Sequence, residues 1–157
     1  MSTPENATIE RFYAAFAAGD GDAMASCYSA DVRFSDPVFP DLRGEQAGDM
    51  WRMLTGAPGE VKIELLEHEG AEGSGRAHWR ATYTFTQTGR HVVNDIQATF
   101  RFQNGLIAEH HDEFSFHRWA KQALGPVGLL LGWTPIVRGG VQRKAGARLE
   151  EFSKSRV

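Results

Sequence analysis

Two periodicities divide the chain. Near the N terminus Ile9, Phe12, Tyr13 and Phe16 recur at helical spacing, which gathers them on one apolar face. Thr3 followed by Pro4 predicts where that helix starts, a side-chain cap and then a proline whose missing N–H is no loss there. Gly19 predicts its end. A short second helix, capped by Asp22, is expected to carry Met24, Cys27 and Tyr28. A third is expected over Glu45 to Thr55, where Ala47, Met50, Trp51 and Leu54 repeat the spacing until Gly56, Pro58 and Gly59 stop it.

From Val61 onward the period becomes two. Val61, Ile63 and Leu65 alternate, as do Ala77, Trp79, Ala81, Tyr83 and Phe85. After Thr88-Gly89 the alternation resumes with Ile96, Ala98, Phe100 and Phe102, and after Asn104-Gly105 with Leu106, Ala108, Phe114 and Phe116. Such runs joined by short glycine-containing turns predict antiparallel hairpins. Earlier, Val32, Phe34 and Asp36 share one face of a short strand ending at Pro37. Helices first, strands next and a helical tail last predict an α+β fold. It is a cone-like curved antiparallel sheet with the N-terminal helices packed on its concave face, plus a C-terminal helical extension. We expect one domain over 1–157, its α+β part reaching residue 117 and its helical tail or lid covering 118–157. A cavity is expected where the sheet curls away from the helices.

Composition narrows the partners. The net charge of −3 argues against nucleic acid, since phosphate binding needs concentrated Lys and Arg. The basic residues Arg138, Arg143, Lys144, Arg148 and Lys154 are interrupted by Glu150 and Glu151, which predicts a solvated helix face. A single cysteine excludes an internal disulfide. With neither a signal peptide nor a long apolar run, a cytoplasmic protein without a membrane partner is expected. Cys27 itself reads as a small buried hydrophobe.

The segment Ile9-Glu10-Arg11-Phe12-Tyr13-Ala14-Ala15-Phe16-Ala17-Ala18-Gly19-Asp20 resembles the opening helix of the nuclear transport factor 2-like superfamily. Tyr28-Ser29-Ala30-Asp31-Val32-Arg33-Phe34-Ser35-Asp36-Pro37 is similar to its following strand, and Phe100-Arg101-Phe102-Gln103-Asn104-Gly105-Leu106-Ile107 to its penultimate hairpin. The resemblance spans roughly residues 5 to 117 and is that of a SnoaL-like domain, related to polyketide cyclases and ketosteroid isomerase. It implies a fold that hosts isomerases, cyclases, epoxide hydrolases, dehydratases and binding modules alike. The catalytic base of ketosteroid isomerase matches Asp36. Its two oxyanion donors, a tyrosine and a protonated aspartic acid, match Phe12 and Ala98, neither of which donates a hydrogen bond. Losing one such donor costs about 3–4 kcal/mol in the transition state, so strict steroid isomerisation is disfavoured. Tyr13, one residue along, lies about 100° round the helix and reads as a poor substitute.

On the last strand Leu106, Ala108, His110, Asp112, Phe114 and Phe116 share one parity, and Ile107, Glu109, His111, Glu113, Ser115 and His117 the other. The first set is the apolar one, so His110 and Asp112 are expected to face inward. By the resemblance, SnoaL-like polyketide cyclases place an acid/base aspartate on this strand, and Asp112 matches it by position. Asp36, His110 and Asp112 are therefore the candidate catalytic set, able to supply a base and an acid with separated pKa values. The competing reading is a buried polar network that satisfies itself. Phe12, Phe16, Phe34, Trp51, Trp79, Tyr83, Ile96, Ala98 and Phe114 are the expected pocket lining.

Other chemistry fits poorly. His110 and His111 point to opposite faces of a strand and cannot chelate one ion together. No glycine-rich phosphate loop runs from a strand into a helix. Ser35 stands on the face opposite Asp36, which argues against a nucleophilic dyad. Neither a metal nor a cofactor is expected. In the tail, Trp119-Ala120-Lys121-Gln122-Ala123-Leu124-Gly125 precedes the apolar stretch Leu124 to Val137, too short to span a membrane and a poor exposed surface. It is expected to cover the pocket as a lid, bending at Gly125, Gly128 and Gly132, or to meet a partner subunit. Thr134-Pro135 predicts a final helix with Val137, Val141, Ala145, Leu149 and Phe152 along one stripe.

The function expected from these residues is cofactor-independent acid–base chemistry, such as isomerisation, cyclisation or hydration, on a small apolar carbonyl-type molecule. The alternative is a non-catalytic module of the same fold that binds an apolar ligand or serves in dimerisation. The resemblance also implies a homodimer built on the outer sheet face, with His78, Arg80, Thr82, Thr84, His111 and Glu113 as contacts.

Overall fold

The computed structural model describes residues 3–57, 59–131 and 134–156. Pro58, expected to help stop the third helix, and Gly132, expected as a bend of the lid, lie outside them. Thr3 caps α1 (Pro4–Ala17) by accepting from Asn6 N–H, as its Thr-Pro start predicts. The next helix, α2 (Gly21–Ser26), is capped by Asp20 rather than Asp22, because the chain turns two residues earlier than its apolar spacing suggests. Tyr28 does not end that helix. It opens β1 (Tyr28–Ser35), which is followed by the two-residue β2 (Leu42–Arg43) and then α3 (Glu45–Gly56).

Four long strands follow: β3 (Val61–Ala71), β4 (Ser74–Phe85), β5 (Arg90–Gln103) and β6 (Leu106–Glu113). The six-stranded sheet has the order β2-β1-β6-β5-β4-β3 and does not close into a barrel. Its pairs are antiparallel with one difference from expectation. β1 runs parallel to β6, because the chain between them returns through α3 and three hairpin strands. Ala77, Trp79 and Ala81 of β4 point inward, while His78, Arg80 and Thr82 are only half-buried on the other face.

One bulge corrects the parity assigned to β6. Phe102 pairs with Ile107 but Arg101 pairs with Glu109, so Ala108 is an extra residue. Ile107 is therefore the fully buried residue at the start of β6, while Leu106 and Ala108 are half-buried. Beyond the bulge the expected parity holds. β6 also ends sooner than expected. Ser115 caps α4 (Phe116–Leu124), so Phe116 belongs to a helix and Phe114 to the link before it.

Inside the cone Phe12, Tyr13, Phe34, Trp51, Trp79 and Phe100 form the main core with Ile9, Met24, Cys27 and Met50. A second cluster joins Val92 to Phe116, Trp119, Ala120 and Ala123 of α4, with Tyr83, Phe85, Phe114, Val137 and Val141 packed on it. It caps the end of the sheet where β1, β4 and β6 finish and β5 begins. α5 (Pro126–Leu131) presses on α4 so closely that a Cβ on Gly128 would fall 1.8 Å from the Ala120 carbonyl oxygen. The tail ends in α6 (Pro135–Ser155), capped by Thr134, with Leu149 buried on its apolar stripe. Among the described residues no helix is long and apolar enough to cross a membrane.

Candidate functional site

The β6 bulge leaves His110 and Asp112 on the inward face, 1% and 2% exposed. Their neighbours across the ladders are apolar: Phe34 and Phe100 flank His110, and Ala98 faces Asp112. Polar groups buried among such residues need partners. His110 Nε2 lies 2.8 Å from Asp112 Oδ1, and His110 Nδ1 lies 2.7 Å from the Tyr28 hydroxyl. That hydroxyl accepts from Trp51 Nε1 at 2.7 Å. The chain of bonds is complete when His110 carries its proton on Nε2, donating to Asp112 and accepting from Tyr28. Trp79 Nε1 approaches the same carboxylate oxygen at 3.5 Å, at the limit of a bond.

Tyr13 enters the same interior. Its ring packs at 5.1 Å from Phe12 and 5.7 Å from Trp79, and it is 3% exposed. Its hydroxyl is buried without a hydrogen-bond partner. Burial first, then the charge of Asp112 and the proximity of Tyr28, raise its pKa well above the ordinary phenol value. Helical geometry alone, which sets Tyr13 about 100° from Phe12, undervalues this residue. Tyr13 shares the apolar stripe of α1 with Ile9 and Phe16, and that stripe is the sign in the sequence that its hydroxyl is carried inside. Tyr28 escapes notice for a related reason: assigned to a helix, it has no reason to meet a histidine on the last strand.

Asp36 follows β1 just past the residues that pair with His110 and His111, half-buried. Its Oδ1 accepts from Val38 N–H at 2.7 Å and Phe39 N–H at 2.6 Å, closing a local turn. Burial lifts its pKa to about 7, with Asp112 adding to the lift. The two N–H bonds and the Arg138 guanidinium act against it. Asp36 also helps to raise the phenol of Tyr83, which burial already pushes up. His110 and Asp112 are thus directly bonded, while Asp36 meets Asp112 through charge, its own hydrogen bonds going to backbone.

The residues expected to line a pocket pack together in the interior of the cone. Phe12, Phe34, Trp51, Trp79, Ile96 and Ala98 are buried, and Phe16, Tyr83 and Phe114 pack half-buried beside them. Ring centroids of Phe16, Trp51 and Trp79 stand 5.0–6.5 Å apart. A groove of about 850 Å³ lies against the sheet's outer face, where Arg33, Ser35, Thr99, Arg101, Glu109 and His111 line it. A smaller one of about 140 Å³ lies between α2, β1 and α3. His110 borders the first and Tyr28 the second, while Asp36 and Asp112 border neither. The outer-face residues His78 and Arg80 both bind Asp95, at 3.1 and 3.0 Å, and Ser35 bonds His111 at 2.7 Å. Among the described residues no three His, Cys, Asp or Glu side chains group to hold a metal ion.

The fold has counterparts among solved structures, at identities that establish the fold alone. A hypothetical protein with a ketosteroid isomerase-like fold from Catenulispora acidiphila, solved with trimethylamine, superposes with a TM-score of 0.67 at 18% identity, covering 85% of this chain and 100% of that one. An LEH-like epoxide hydrolase of Mycobacterium tuberculosis gives 0.66 at 17% identity, covering 83% and 97%. A nuclear-transport-factor-2-like protein of unknown function from Burkholderia pseudomallei gives 0.63 at 17%, covering 73% and 92%. Among curated proteins none is similar to the chain in sequence. The profile of one family does match it, from residue 9 to residue 110, which takes in α1 from Ile9 onward, every strand through the first half of β6, and the polar residues Tyr13, Tyr28, Asp36 and His110. The chain belongs to the SnoaL-like domain family.

Proposed function

We propose that the chain is a small-molecule enzyme doing cofactor-independent acid–base chemistry on an apolar, carbonyl-bearing ligand. The observation that carries this reading is the Tyr13 hydroxyl, buried and without a partner beside Asp112. A fold gains nothing from burying a donor it leaves unused, whereas a ligand oxygen would complete it. In this reading Asp36, with a pKa near neutrality, takes a proton from the carbon next to the carbonyl. The electrons of that C–H bond move to the carbonyl oxygen, which Tyr13 stabilises by donating its hydrogen bond. Where a C=C bond adjoins that carbon, the enolate extends to a dienolate, and returning the proton from Asp36 at its far end shifts the double bond and isomerises the ligand. His110 and Asp112 hold the wall against which Tyr13 works.

A second reading has its own support. Trp79 and Phe100 are buried in the interior, which suits a dimerisation scaffold that keeps its core packed. Incubation in heavy water with small cyclic ketones separates the two. The enzyme reading expects deuterium to enter at the carbon next to the carbonyl, with a loss of about a hundredfold in Tyr13→Phe, the scale of one oxyanion donor. Ketones that bind without exchange would select the module.

We further propose a homodimer formed on the outer sheet face. The polar set His78, Arg80, Thr82, Thr84, His111 and Glu113, together with the neighbouring groove, suits a wet interface.

A further inference from the structure

Access to Tyr13 poses a mechanical problem that the tail answers. Rings pack the interior of the cone, and its end, where Tyr83, Phe85, Val92 and Phe114 come together beside Asp36, is covered by α4 and α6. A ligand must displace one of these helices. α4 is sewn to the sheet: Trp119 Nε1 donates to the Tyr83 hydroxyl at 2.8 Å, and the Gln122 side chain bonds both the N–H and the carbonyl of Val93. Arg90 Nε and the Thr88 hydroxyl donate to the Gln122 and Ala123 carbonyls.

α6 is held differently. Of its 21 residues Leu149 alone is buried among those described, and Gly139, Gly140 and Gly146 each weaken the helix relative to alanine. Its near end touches the Asp36 turn, where Gln142 Nε2 donates to the Pro37 carbonyl at 3.0 Å. Arg138, one of the charges acting on Asp36, stands 5.7 Å from the Phe116 ring centroid. Its far end is fastened to a single buried carboxylate, Asp49 of α3. Ser153 Oγ donates to Asp49 Oδ2 at 2.7 Å, and Arg156 Nε lies 3.1 Å from Asp49 Oδ1. Arg52 of α3 holds the same carboxylate at 3.0 Å, so Asp49 stays paired when α6 leaves.

We propose that α6 is a releasable strap, latched to Asp49 by Ser153 and Arg156 and hooked on the Asp36 turn by Gln142, whose release opens the mouth of the cone. The gating role rests on the cone interior being the ligand site; the latch does not.

The test removes the latch from the strap's side, leaving α3 and the sheet intact. In Ser153→Ala/Arg156→Ala, amide hydrogen exchange across α6 should rise at least fivefold, while that of β5 stays at its wild-type rate. Binding of 1-anilinonaphthalene-8-sulfonate, an apolar probe for the interior, should become at least tenfold faster. Unchanged exchange in α6, or α6 and β5 accelerating together, would make the helix a permanent part of the core and overturn the strap. Selective loosening with unchanged probe uptake would overturn the gate. A second variant, Asp49→Cys/Ser153→Cys, compares oxidised and reduced forms of one protein. Uptake should fall in the oxidised form and return on reduction, and equal uptake in both would also overturn the gate. Failure of ketone exchange in a protein whose strap opens would count against the enzyme reading alone.

Discussion

Asp112 stands directly across the β5–β6 ladder from Ala98, so the inward carboxylate of β6 faces an apolar position on β5. Its partner lies along its own strand. On β6 it lies two residues from His110 and bonds its ring at 2.8 Å.

That bond makes a graded prediction. Asp112→Asn keeps an oxygen able to accept from His110 Nε2 and should cost little stability. Asp112→Ala leaves His110 and Trp79 without their shared acceptor and should cost about 1–3 kcal/mol, the range for orphaning a buried neutral donor. Urea denaturation measures both. An alanine variant as stable as the asparagine one would mean that water enters and replaces the carboxylate.

Tyr13→Phe should behave in the opposite sense. The hydroxyl has no partner, so removing it deletes a buried, unsatisfied group and should leave stability unchanged or raise it by about 1 kcal/mol. Deuterium exchange into a ketone should nevertheless collapse. A variant that loses stability and keeps exchange would assign Tyr13 to packing alone.

These two residues also mark what the sequence could and could not say. Strand parity carried His110 and Asp112 inward because period two survives wherever no bulge intervenes. It failed at Ile107, where one extra residue reversed the faces, since nothing in Gln103-Asn104-Gly105-Leu106 encodes a bulge two residues later. The Thr3 and Thr134 caps were legible because capping is local chemistry. The Tyr28–His110 bond was not, because it joins residues 82 apart through a parallel pairing that no hairpin announces.

The proposed dimer has a direct check. Arg33, Arg101 and His111 line the outer groove among Asp41, Glu72 and Glu109, a mixed field that a second copy could complement. Arg33→Glu/His111→Glu should shift the protein to a monomer by light scattering at micromolar concentration, with its melting temperature nearly unchanged because neither side chain reaches the core. A wild-type protein that is already monomeric would remove the interface.

Asp36 gives the clearest dependence on pH. In the unfolded chain its carboxyl loses its proton near 3.8, whereas burial, with Asp112 adding to it, holds that proton to about 7 in the folded protein. Between those values the folded state binds more protons than the unfolded one, so this group's contribution to stability falls as pH rises from about 4 to about 7 and is level on either side. The gap between the folded and unfolded values sets a ceiling of about 4 kcal/mol. Asp36 is half-buried and its charge partly screened, so about 1–3 kcal/mol is expected. Asp36→Asn cannot ionise, yet its side-chain oxygen can still accept from Val38 and Phe39, which preserves the turn. The variant should therefore match the wild type near pH 4 and exceed its stability at pH 8. Turnover should move the other way, rising in the wild type as Asp36 ionises through neutrality and vanishing in the variant at every pH. Urea midpoints at four pH values, taken beside the ketone exchange rate, decide it: parallel stability profiles would mean that Asp36 ionises as it would in water and is no poised base.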